Sequence, residues 1–476
     1  MRCCKFNLSK IIHLMLFYSV AVVSANTIVI PTQQPNIQAG INIAANGDTV
    51  LVLPGTYSDS GNFDINFQGK AIVLMSSDGP TVTTIDCDAS RDFPRRAFSF
   101  KMGETPSTKI IGFTITNCVA WVRGEIVDWL GGAIYCSTSS PTFKECKINN
   151  SYAYEGGAVW LVDGAAAIFK DCEFNRNSAE FIGGAVSCAD SSAPKFIRCK
   201  FESNFSHSGG GIFAANSTVS LLGCLFYGNF ALDFGGAVSL ANANASFINC
   251  TITHNSAGIK GGAVVLSSCN TWFQNSIISF NFNPDGESVY VIKRNDSCGK
   301  ATFDCSDLYG NEGGDWTGTI SGQLGINGNF TSNPEYCDAT AADFSLKSIS
   351  LCAPANSPCG ELVGAFDANC VSTHISPVTT ASLPEEYNLR QNYPNPFNPE
   401  TRIEFSLPKP SFVKLDIYNI LGERITTLVN EQLSAGNWST SWDGTHSNGS
   451  KVASGIYFYR IETDSFVKSK KMLLLK

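Results

Sequence analysis

The sequence predicts an all-β protein in which a long parallel β-helix solenoid is followed by a small β-sandwich. Three features of the 476-residue chain support this prediction. A glycine-led motif recurs at a nearly constant interval, and apolar residues alternate along each repeat. A change of composition then separates the repeats from a C-terminal segment that has a strand pattern of its own.

The repeat motif is a pair of glycines followed by a small residue and then by valine or isoleucine. It begins at Gly131, Gly156, Gly183, Gly209, Gly235 and Gly261, in steps of 25, 27, 26, 26 and 26 residues. A fixed period of this length without a helical pattern is typical of a solenoid in which each coil stacks on the next. Roughly a dozen such coils fit between residues 26 and 370.

Alternation within the coils predicts which side chains face the core. One parity of the glycine-led strand is always apolar, from Ile134 and Cys136 in the first repeat to Val264 and Leu266 in the last. The other parity is mixed and should face outward: Tyr135, Trp160, Ser187, Phe213, Ser239 and Val265. Two further inward ladders run through Phe143, Phe169, Phe196, Leu221, Phe247 and Phe273, and through Ile148, Phe174, Phe201, Phe226, Ile252 and Ile278.

Two polar ladders accompany the apolar ones. Asn150, Asn177, Asn204, Asn229, Asn255 and Asn281 fall at one turn of successive coils. We interpret them as a structural ladder of bonded amides rather than as a binding stripe. Cys146, Cys172, Cys199, Cys224 and Cys250 also stack, with Ser276 in the next coil. Coils lie roughly 4.8 Å apart and the side chains point the same way, so we expect mostly reduced, buried thiols.

Both open ends of the solenoid need protection. Asn36 is placed to cap a short helix that carries Ile37, Ile41, Ala44 and Ala45, and this helix should close the first coil. At the other end Cys337, Cys352, Cys359 and Cys370 lie in an irregular stretch. We expect two disulfides among these four cysteines, in a connectivity that the sequence leaves open.

Four segments follow from these patterns. Residues 1–25 resemble a secretory signal peptide, with Arg2, Lys5 and Lys10 before a short apolar run. The solenoid then occupies residues 26–370, a linker rich in Ser, Thr and Pro occupies 371–388, and the sandwich occupies 389–476. Residues 26–388 contain 19 basic and 33 acidic residues, a net charge of −14. This charge argues against a nucleic-acid partner, and the sequence offers no transmembrane segment.

The last segment resembles the immunoglobulin-like sorting domain of proteins exported by the type IX secretion system. The resemblance rests on the run from Asn392 to Pro399, on Ile417 to Gly422 and on Trp442-Asp443-Gly444. It includes the sorting-signal residues Gly455, Ile456, Tyr457, Lys470 and Lys471. It implies passage through the outer-membrane secretion machinery of a bacterium, after which such domains are commonly removed or used for surface attachment.

Residues 26–370 resemble the right-handed parallel β-helix proteins of the pectin lyase-like superfamily, and the glycine-led repeat is similar to that of polymorphic outer-membrane adhesins. This superfamily includes lyases, hydrolases and adhesins. The ordered polygalacturonase signatures Asn-Thr-Asp, Asp-Asp and Gly-His-Gly are absent. We therefore assign no catalytic residue, no cofactor and no metal site, although structural calcium stays open, and we lean against an enzyme.

Two segments break the regularity of the coils. The charged excursion, residues 86–96, contains Arg91, Arg95 and Arg96 with several aspartates. It is either a calcium or acidic-sugar site or a solvated loop with internal ion pairs. The insertion loop, residues 119–130, makes Gly131 follow Cys118 after thirteen residues where six are expected.

The insertion loop supplies the candidate glycan-binding residues. It carries Trp121, Arg123, Glu125, Asp128 and Trp129, and it leads into the strand that exposes Tyr135, with Trp160 beside it in the next coil. Aromatic rings with acids and an arginine among them predict a sugar-stacking cleft. In the alternative, the loop tryptophans fold onto the coil and cover apolar surface.

The sequence therefore favours a secreted or cell-surface β-helix protein that binds carbohydrate, either a polysaccharide or a host or matrix glycan, or acts as an adhesin. Two alternatives remain open. One is a polysaccharide lyase or glycoside hydrolase, which would need an outward carboxylate cluster beside a basic residue. The other is a passive component of the surface layer or matrix.

Overall fold

The computed structural model describes residues 25–121, 129–284, 286–292, 299–368, 376–377, 384, 386–446 and 451–475. Its larger part is a parallel β-helix with three long sheets. Sheet 1 contains the strands Thr27–Ile30, Thr49–Val52, Val73–Ser76, Lys109–Ile111, Thr142–Lys144, Ile168–Lys170, Lys195–Ile197, Thr218–Leu222, Asn244–Ile248, Asn270–Gln274 and Lys300–Asp304. Sheet 2 contains Gly55–Tyr57, Thr83–Asp86, Thr114–Thr116, Lys147–Asn149, Glu173–Asn175, Lys200–Glu202, Leu225–Tyr227, Thr251–Thr253, Ile277–Ser279 and Asp307–Tyr309.

The glycine-led strands form sheet 3. Its members are Ile65–Asn66, Phe98–Phe100, Ile134–Ser137, Val159–Val162, Val186–Cys188, Ile212–Ala215, Val238–Ala241, Val264–Ser267 and Val289–Ile292. A shorter sheet 4 precedes the glycine pairs and contains Tyr152–Glu155, Ser178–Ile182, Phe205–Ser208, Phe230–Phe234 and Ser256–Ala257. The glycines make the corner between these sheets. Gly156 has a φ of +62°, and a Cβ on Gly157 would collide with the main-chain oxygen of Gly184 in the next coil.

The predicted inward ladders are confirmed by the strand register. Phe169 pairs with Phe143 and Phe196, and Phe174 pairs with Ile148 and Phe201, each in a parallel neighbour one coil away. The rings stack along the axis, with centroids 5.2 Å apart for Phe169 and Phe196 and 4.8 Å apart for Phe174 and Phe201. These side chains are fully buried, so the core is a continuous column rather than a set of separate clusters.

The asparagine ladder is structural, as predicted, but one assigned member is wrong. Asn177 donates from its main-chain N and from Nδ2 to Oδ1 of Asn204, at 3.0 and 3.1 Å. The same pair of bonds continues through each coil as far as Asn311. In the first coil of the ladder the place belongs to Ser151, whose main-chain N donates to Asn177. Asn150 is exposed at a turn with a φ of +51°.

The cysteine ladder is buried and reduced, as predicted. Cys146, Cys172, Cys199, Cys224 and Cys250 are all free and fully buried. The Sγ of Cys199 donates to the main-chain oxygen of Phe169, and that of Cys224 to the oxygen of Phe196, each at 3.4 Å. Loss of solvent raises the pKa of the Cys199 thiol. These thiols therefore behave as small apolar side chains.

The N-terminal helix has the predicted form. It spans Ile37–Ile43, and the Oδ1 of Asn36 accepts a hydrogen bond from the main-chain N of Ala39 at 2.8 Å. Ile37 and Ile41 are fully buried against the first coils. The helix therefore extends the core at this end of the solenoid.

The C-terminal cysteines do not pair as predicted. Cys359 forms a disulfide with Cys305 of the last sheet 1 turn, and Cys337 is also disulfide-bonded. Cys352 is a free, buried thiol, and Cys370 lies outside the described residues. The predicted pairing fails because residues 330–368, which we name the strap, fold back along the outside of sheet 2. Gly364 donates to the oxygen of Asn275 at 2.8 Å, and the strap covers the outward side chains of Leu225 and Ile277.

The strap also contains an antiparallel pair of strands, Tyr336–Asp338 and Asp343–Leu346, and a 3₁₀ helix at Ala339–Ala341. A second 3₁₀ helix at Gly318–Gln323 precedes it. Among the described residues no helix is both long enough and apolar enough to cross a membrane. The predicted signal peptide lies almost entirely outside those residues.

The C-terminal domain is a sandwich of two antiparallel sheets. One contains Ser376–Pro377, Gly436–Trp442, Thr401–Leu407 and Asn388–Leu389, and the other contains Arg424–Leu433, Ser411–Tyr418, Gly455–Glu462 and Val467–Leu474. Its core includes the buried Trp442 and Tyr459. The strand Ser376–Pro377 lies in the segment that was predicted to be a linker. Because this strand pairs with Gly436–Trp442, that part of the segment belongs to the sandwich.

Candidate ligand-binding site

The charged excursion and the insertion loop meet on one side of the solenoid. The main-chain N of Val119 donates to the oxygen of Arg95 at 3.0 Å, and the N of Ala89 donates to the oxygen of Asn117 at 3.0 Å. These bonds hold the start of the loop against both ends of the excursion. Two departures from the repeat that the sequence presented separately therefore form one structure.

Arg91 of the excursion lies over the aromatic rings at this junction. Its Cζ is 4.4 Å from the ring centre of Trp121 and 4.7 Å from that of Tyr152. The Trp121 and Tyr152 rings are themselves in contact, with centroids 5.5 Å apart. A guanidinium stacked on two rings is held in a defined orientation while its outer N–H groups stay available.

Glu180 of sheet 4 completes this arrangement, which we name the arginine cluster: Arg91, Trp121, Tyr152 and Glu180. The Nη2 of Arg91 lies 3.2 Å from Oε2 of Glu180, and the Tyr152 hydroxyl is hydrogen-bonded to both side chains. Partial burial, together with the hydrogen bond to Glu180, raises the pKa of Tyr152 to about 12. The side chains of Arg91 and Glu180 are 57% and 49% exposed, so the cluster presents both donors and acceptors to solvent.

A row of aromatic rings lies beside the arginine cluster. Trp129, Tyr154 and Phe181 come from three successive coils, and their ring centroids are 5.7 and 5.9 Å apart. Trp129 is 38% exposed and Phe181 is 50% exposed. We name these three residues the ring row. Flat apolar faces next to hydrogen-bonding groups form a surface suited to a ligand that has both apolar and hydroxyl-bearing faces.

The outer face of sheet 4 remains apolar beyond the ring row. Phe205 and Phe230 stack in neighbouring coils with centroids 5.7 Å apart, and each is 37% exposed. Between these coils His207 Nδ1 and Asp233 Oδ2 lie 3.3 Å apart. Phe205 is in register with Ser178 and so with the column of Tyr152, which makes this pair a second exposed apolar patch rather than a continuation of the ring row.

The predicted site residues separate into three groups. Trp121 and Trp129 belong to the surface just described, whereas Arg123, Glu125 and Asp128 lie outside the described residues. Tyr135 and Trp160 are neighbours in sheet 3, as predicted, but their surroundings differ. Trp160 is only 8% exposed, and the Tyr135 ring faces Lys101 Nζ at 4.4 Å and Arg96 Cζ at 5.3 Å. The expectation of an exposed stacking residue is therefore wrong for Trp160, whereas for the half-buried Tyr135 it stays a prediction.

Sequence reasoning missed Arg91, Tyr152, Tyr154, Glu180 and Phe181 as members of this surface. Four of them lie in the short stretch between the turn ladder and the glycine pair, where the repeat pattern has no recurring residue type. The signal that could have found them is the clustering of Tyr152, Tyr154 and Phe181 in this stretch of two successive coils, directly after the coil with the long insertion.

Several acidic residues elsewhere on the solenoid take part in ion pairs or turn bonds. Asp171 binds Arg198 through two contacts of 2.7 and 2.8 Å, and Glu145 lies 2.8 Å from Lys144. In the excursion, Oδ1 of Asp86 accepts hydrogen bonds from Asn117 Nδ2 and from the main-chain N of Asp88. Within the described ranges no group of three or more His, Cys, Asp or Glu residues is placed to hold a metal ion.

The sorting-signal residues lie on the last two strands of the C-terminal domain. Lys470 pairs with Tyr459, and Lys471 pairs with Phe458, in the antiparallel ladder that begins opposite Gly455. Ile456 is 42% exposed, whereas Tyr457 is buried against Trp442. Asn392 of the first matching motif donates to Thr401 from Nδ2 and to the Tyr459 hydroxyl from its main chain. Tyr457 and Asn392 therefore have structural roles within the domain, whereas Ile456 and Lys471 are exposed on its surface.

Comparison with known families agrees with this architecture. A family model described as a right handed beta helix region matches residues 38–204 and 184–307. Because these matches span more than half of the chain, the protein belongs to the right-handed β-helix family. The model of the FlgD Ig-like domain matches residues 395–465, so the C-terminal sandwich is immunoglobulin-like.

Two chains of solved structures also match the protein. One is the crystal structure of the pectate lyase Pel9A, with 13% sequence identity and a TM-score of 0.41. That alignment covers 73% of this chain and 98% of the pectate lyase. No curated protein matches the sequence.

Proposed function

We propose that the protein is exported and acts at or outside a bacterial cell surface as a carbohydrate-binding or adhesive element. The observation that carries this proposal is the joining of the arginine cluster to the ring row. The exposed faces of Trp129 and Phe181 are suited to stacking on the apolar faces of sugar rings. Arg91 and Glu180 lie beside them as a donor and an acceptor for sugar hydroxyls.

A binding role agrees better with this surface than catalysis does. Most glycoside hydrolases use two converging carboxyl groups, and a lyase is expected to need a carboxylate cluster beside a basic residue. Glu180 is the carboxylate that the described residues place in the arginine cluster, and it is engaged with Arg91 and Tyr152. A lyase or hydrolase therefore stays the second candidate, and a passive matrix component the third.

Export follows in this proposal from the C-terminal domain and its resemblance to type IX sorting domains. The immunoglobulin-like fold, the ordered motifs and the basic final strand Val467–Leu474 support it. The partner at this stage is the outer-membrane secretion machinery. Removal of residues 389–476 should leave the solenoid folded but keep it inside the cell, since the two units have separate cores. Surface appearance of the truncated protein in its native host would contradict the sorting role.

The binding role is tested with a glycan array run alongside a polysaccharide-degradation screen. Trp129→Ala and Phe181→Ala should each weaken binding by about 1 kcal/mol or more. Trp272→Ala is the matched control, because Trp272 is 40% exposed but lies on sheet 1, where its Nε1 donates to Asp304. Equal effects of all three substitutions, or cleavage of a polysaccharide, would overturn the proposal.

A further inference from the structure

Two buried thiols face each other beneath the candidate site. The Sγ atoms of Cys87 and Cys118 lie 2.7 Å apart, in adjacent coils, and both residues are fully buried. This separation is closer than two unbonded sulfur atoms approach without repulsion. Cys118 Sγ also donates to the main-chain oxygen of Thr116 at 3.4 Å, a bond of the kind that the thiols of the cysteine ladder make, so the short contact between the two sulfur atoms is the feature that sets this pair apart.

The position of Cys118 in the coil favours a side-chain link between neighbours. Ile115 and Ile148 are inward-facing residues in register with each other. Cys118 lies three residues after Ile115, just as Ser151 lies three residues after Ile148. Asn177 has the same place in the following coil. From Ser151 onward this column is joined coil to coil by hydrogen bonds. In the coil before that of Cys118, Ile85 is in register with Ile115, and Cys87 stands at the same turn, two residues beyond Ile85.

The main chain already fixes both cysteines relative to each other. The N of Cys87 donates to the oxygen of Thr116 at 3.1 Å, and Ala89 donates to Asn117 at 3.0 Å. On the other side of Cys118, Val119 donates to Arg95 at 3.0 Å. A bond between the sulfur atoms would therefore need little backbone movement.

We propose that Cys87 and Cys118 form a disulfide that locks the base of the ligand-binding surface. Export into an oxidising compartment, which is part of the proposed function, supplies the setting. The two thiols lose two protons and two electrons as the sulfur–sulfur bond forms. The electrons pass to the disulfide of a thiol–disulfide oxidoreductase, which becomes a dithiol.

The bond would join the two segments that carry the site. Cys87 begins the stretch that leads to Arg91, and Cys118 directly precedes the insertion loop with Trp121. The hydrogen bond with the neighbouring Cys118 thiol, together with burial, raises the pKa of Cys87, so its reactive thiolate is scarce in the folded protein. Oxidation should therefore occur while the chain folds, before the coil closes over the pair.

The test is thiol mapping of the full chain purified from the culture medium or cell surface, or refolded in a glutathione redox buffer. The protein is denatured in an alkylating agent without reductant and then digested. We expect a peptide that links Cys87 to Cys118, together with alkylated Cys172 and Cys199. The Cys305–Cys359 link serves as the internal reference. Alkylation of both Cys87 and Cys118 in samples that retain the reference link would overturn the proposal.

A variant extends the test to stability. Cys118→Ser places in this coil the residue that the next coil has at Ser151, so it should fold. Reductant should lower the Tm of the wild type by several degrees more than that of the variant, since only the wild type loses this bridge. Equal shifts would contradict the disulfide. A linked protein that binds no glycan would support the disulfide and count against the proposed function.

Discussion

The guanidinium of Arg91 lies 4.4 Å from the ring centre of Trp121, although the two residues belong to different coils and to different irregular segments. This contact turns two surface loops into one surface, because the same guanidinium also reaches Tyr152 and Glu180. A long loop on a solenoid often supplies its binding face. Here Trp121, at the start of the loop, packs against an arginine contributed by the preceding coil.

The first prediction concerns Arg91. Arg91→Ala should weaken glycan binding by about 1 kcal/mol or more, since it removes both an exposed donor and the support of the Trp121 ring. Thermal stability should change little, because exposed ion pairs contribute about 0.2–1 kcal/mol. Titration calorimetry and thermal unfolding check the two effects. Arg198→Ala is the control, as it breaks the exposed pair with Asp171 on another face, and an equal loss of binding there would contradict the assignment.

The solenoid could be predicted because its determinants repeat. The same spacing and the same alternation of apolar residues recur in six or more coils, so a wrong assignment in one coil does not change the predicted architecture. Local assignments had less support. In one coil Asn149 and Asn150 directly precede Ser151. An alignment error of one residue therefore assigned Asn150 to the ladder, although Ser151 is the residue that belongs to it.

The site could not be predicted in the same way, because it depends on contacts between coils and on what covers each face. Trp160 has the outward parity that the sequence predicts, yet it is buried. The side-chain partners of Glu180 among the described residues, Arg91 and Tyr152, come from other coils, so Glu180 is recognised only when Arg91 is placed beside it. The path of the strap is a contact of the same long-range kind, which is why Cys359 was expected to pair within the terminal cluster and instead reaches Cys305.

The second prediction separates the two tryptophans that the sequence treated alike. Trp160→Ala should cost about 3–5 kcal/mol of stability, the range for truncating a buried aromatic residue. Trp160→Phe should cost less, because the Trp160 Nε1 is buried without a hydrogen-bond partner. Trp129→Ala should leave stability nearly unchanged and act on binding. Denaturant unfolding of the three variants provides the comparison, and a stable Trp160→Ala protein would show that this face is open.

The third prediction concerns the asparagine ladder. Asn229 accepts two hydrogen bonds from Asn204 and donates two to Asn255, and it is fully buried. Asn229→Ala should therefore destabilise the solenoid by about 1–3 kcal/mol for each buried polar group left unpaired. Asn150→Gly is the control, since it removes an exposed amide and glycine tolerates the positive φ at this turn. Similar unfolding midpoints for the two variants would refute a structural role for the ladder.

The last prediction concerns the pH dependence of the strap. Asp307 is fully buried where the strap meets sheet 2, and its carboxylate accepts hydrogen bonds from the main-chain N of Ser332 and from the Cys352 thiol. Burial raises the pKa of Asp307 from 3.8 to about 7. The folded state therefore binds the Asp307 proton more tightly than the unfolded state does. The resulting stabilisation is complete below about pH 4 and is lost as the pH rises through 7.

Asp307→Asn keeps the shape of the side chain and an oxygen for Ser332 but has no charge to bury. Its stability should be close to that of the wild type at pH 4 and should exceed it at pH 8. Asp367→Asn is the matched control, because it removes the same charge from an exposed position on the strap. Unfolding free energies measured between pH 4 and 8 distinguish the two. A difference between Asp307→Asn and the wild type that stays constant over this range would show that Asp307 is ionised in the folded protein throughout.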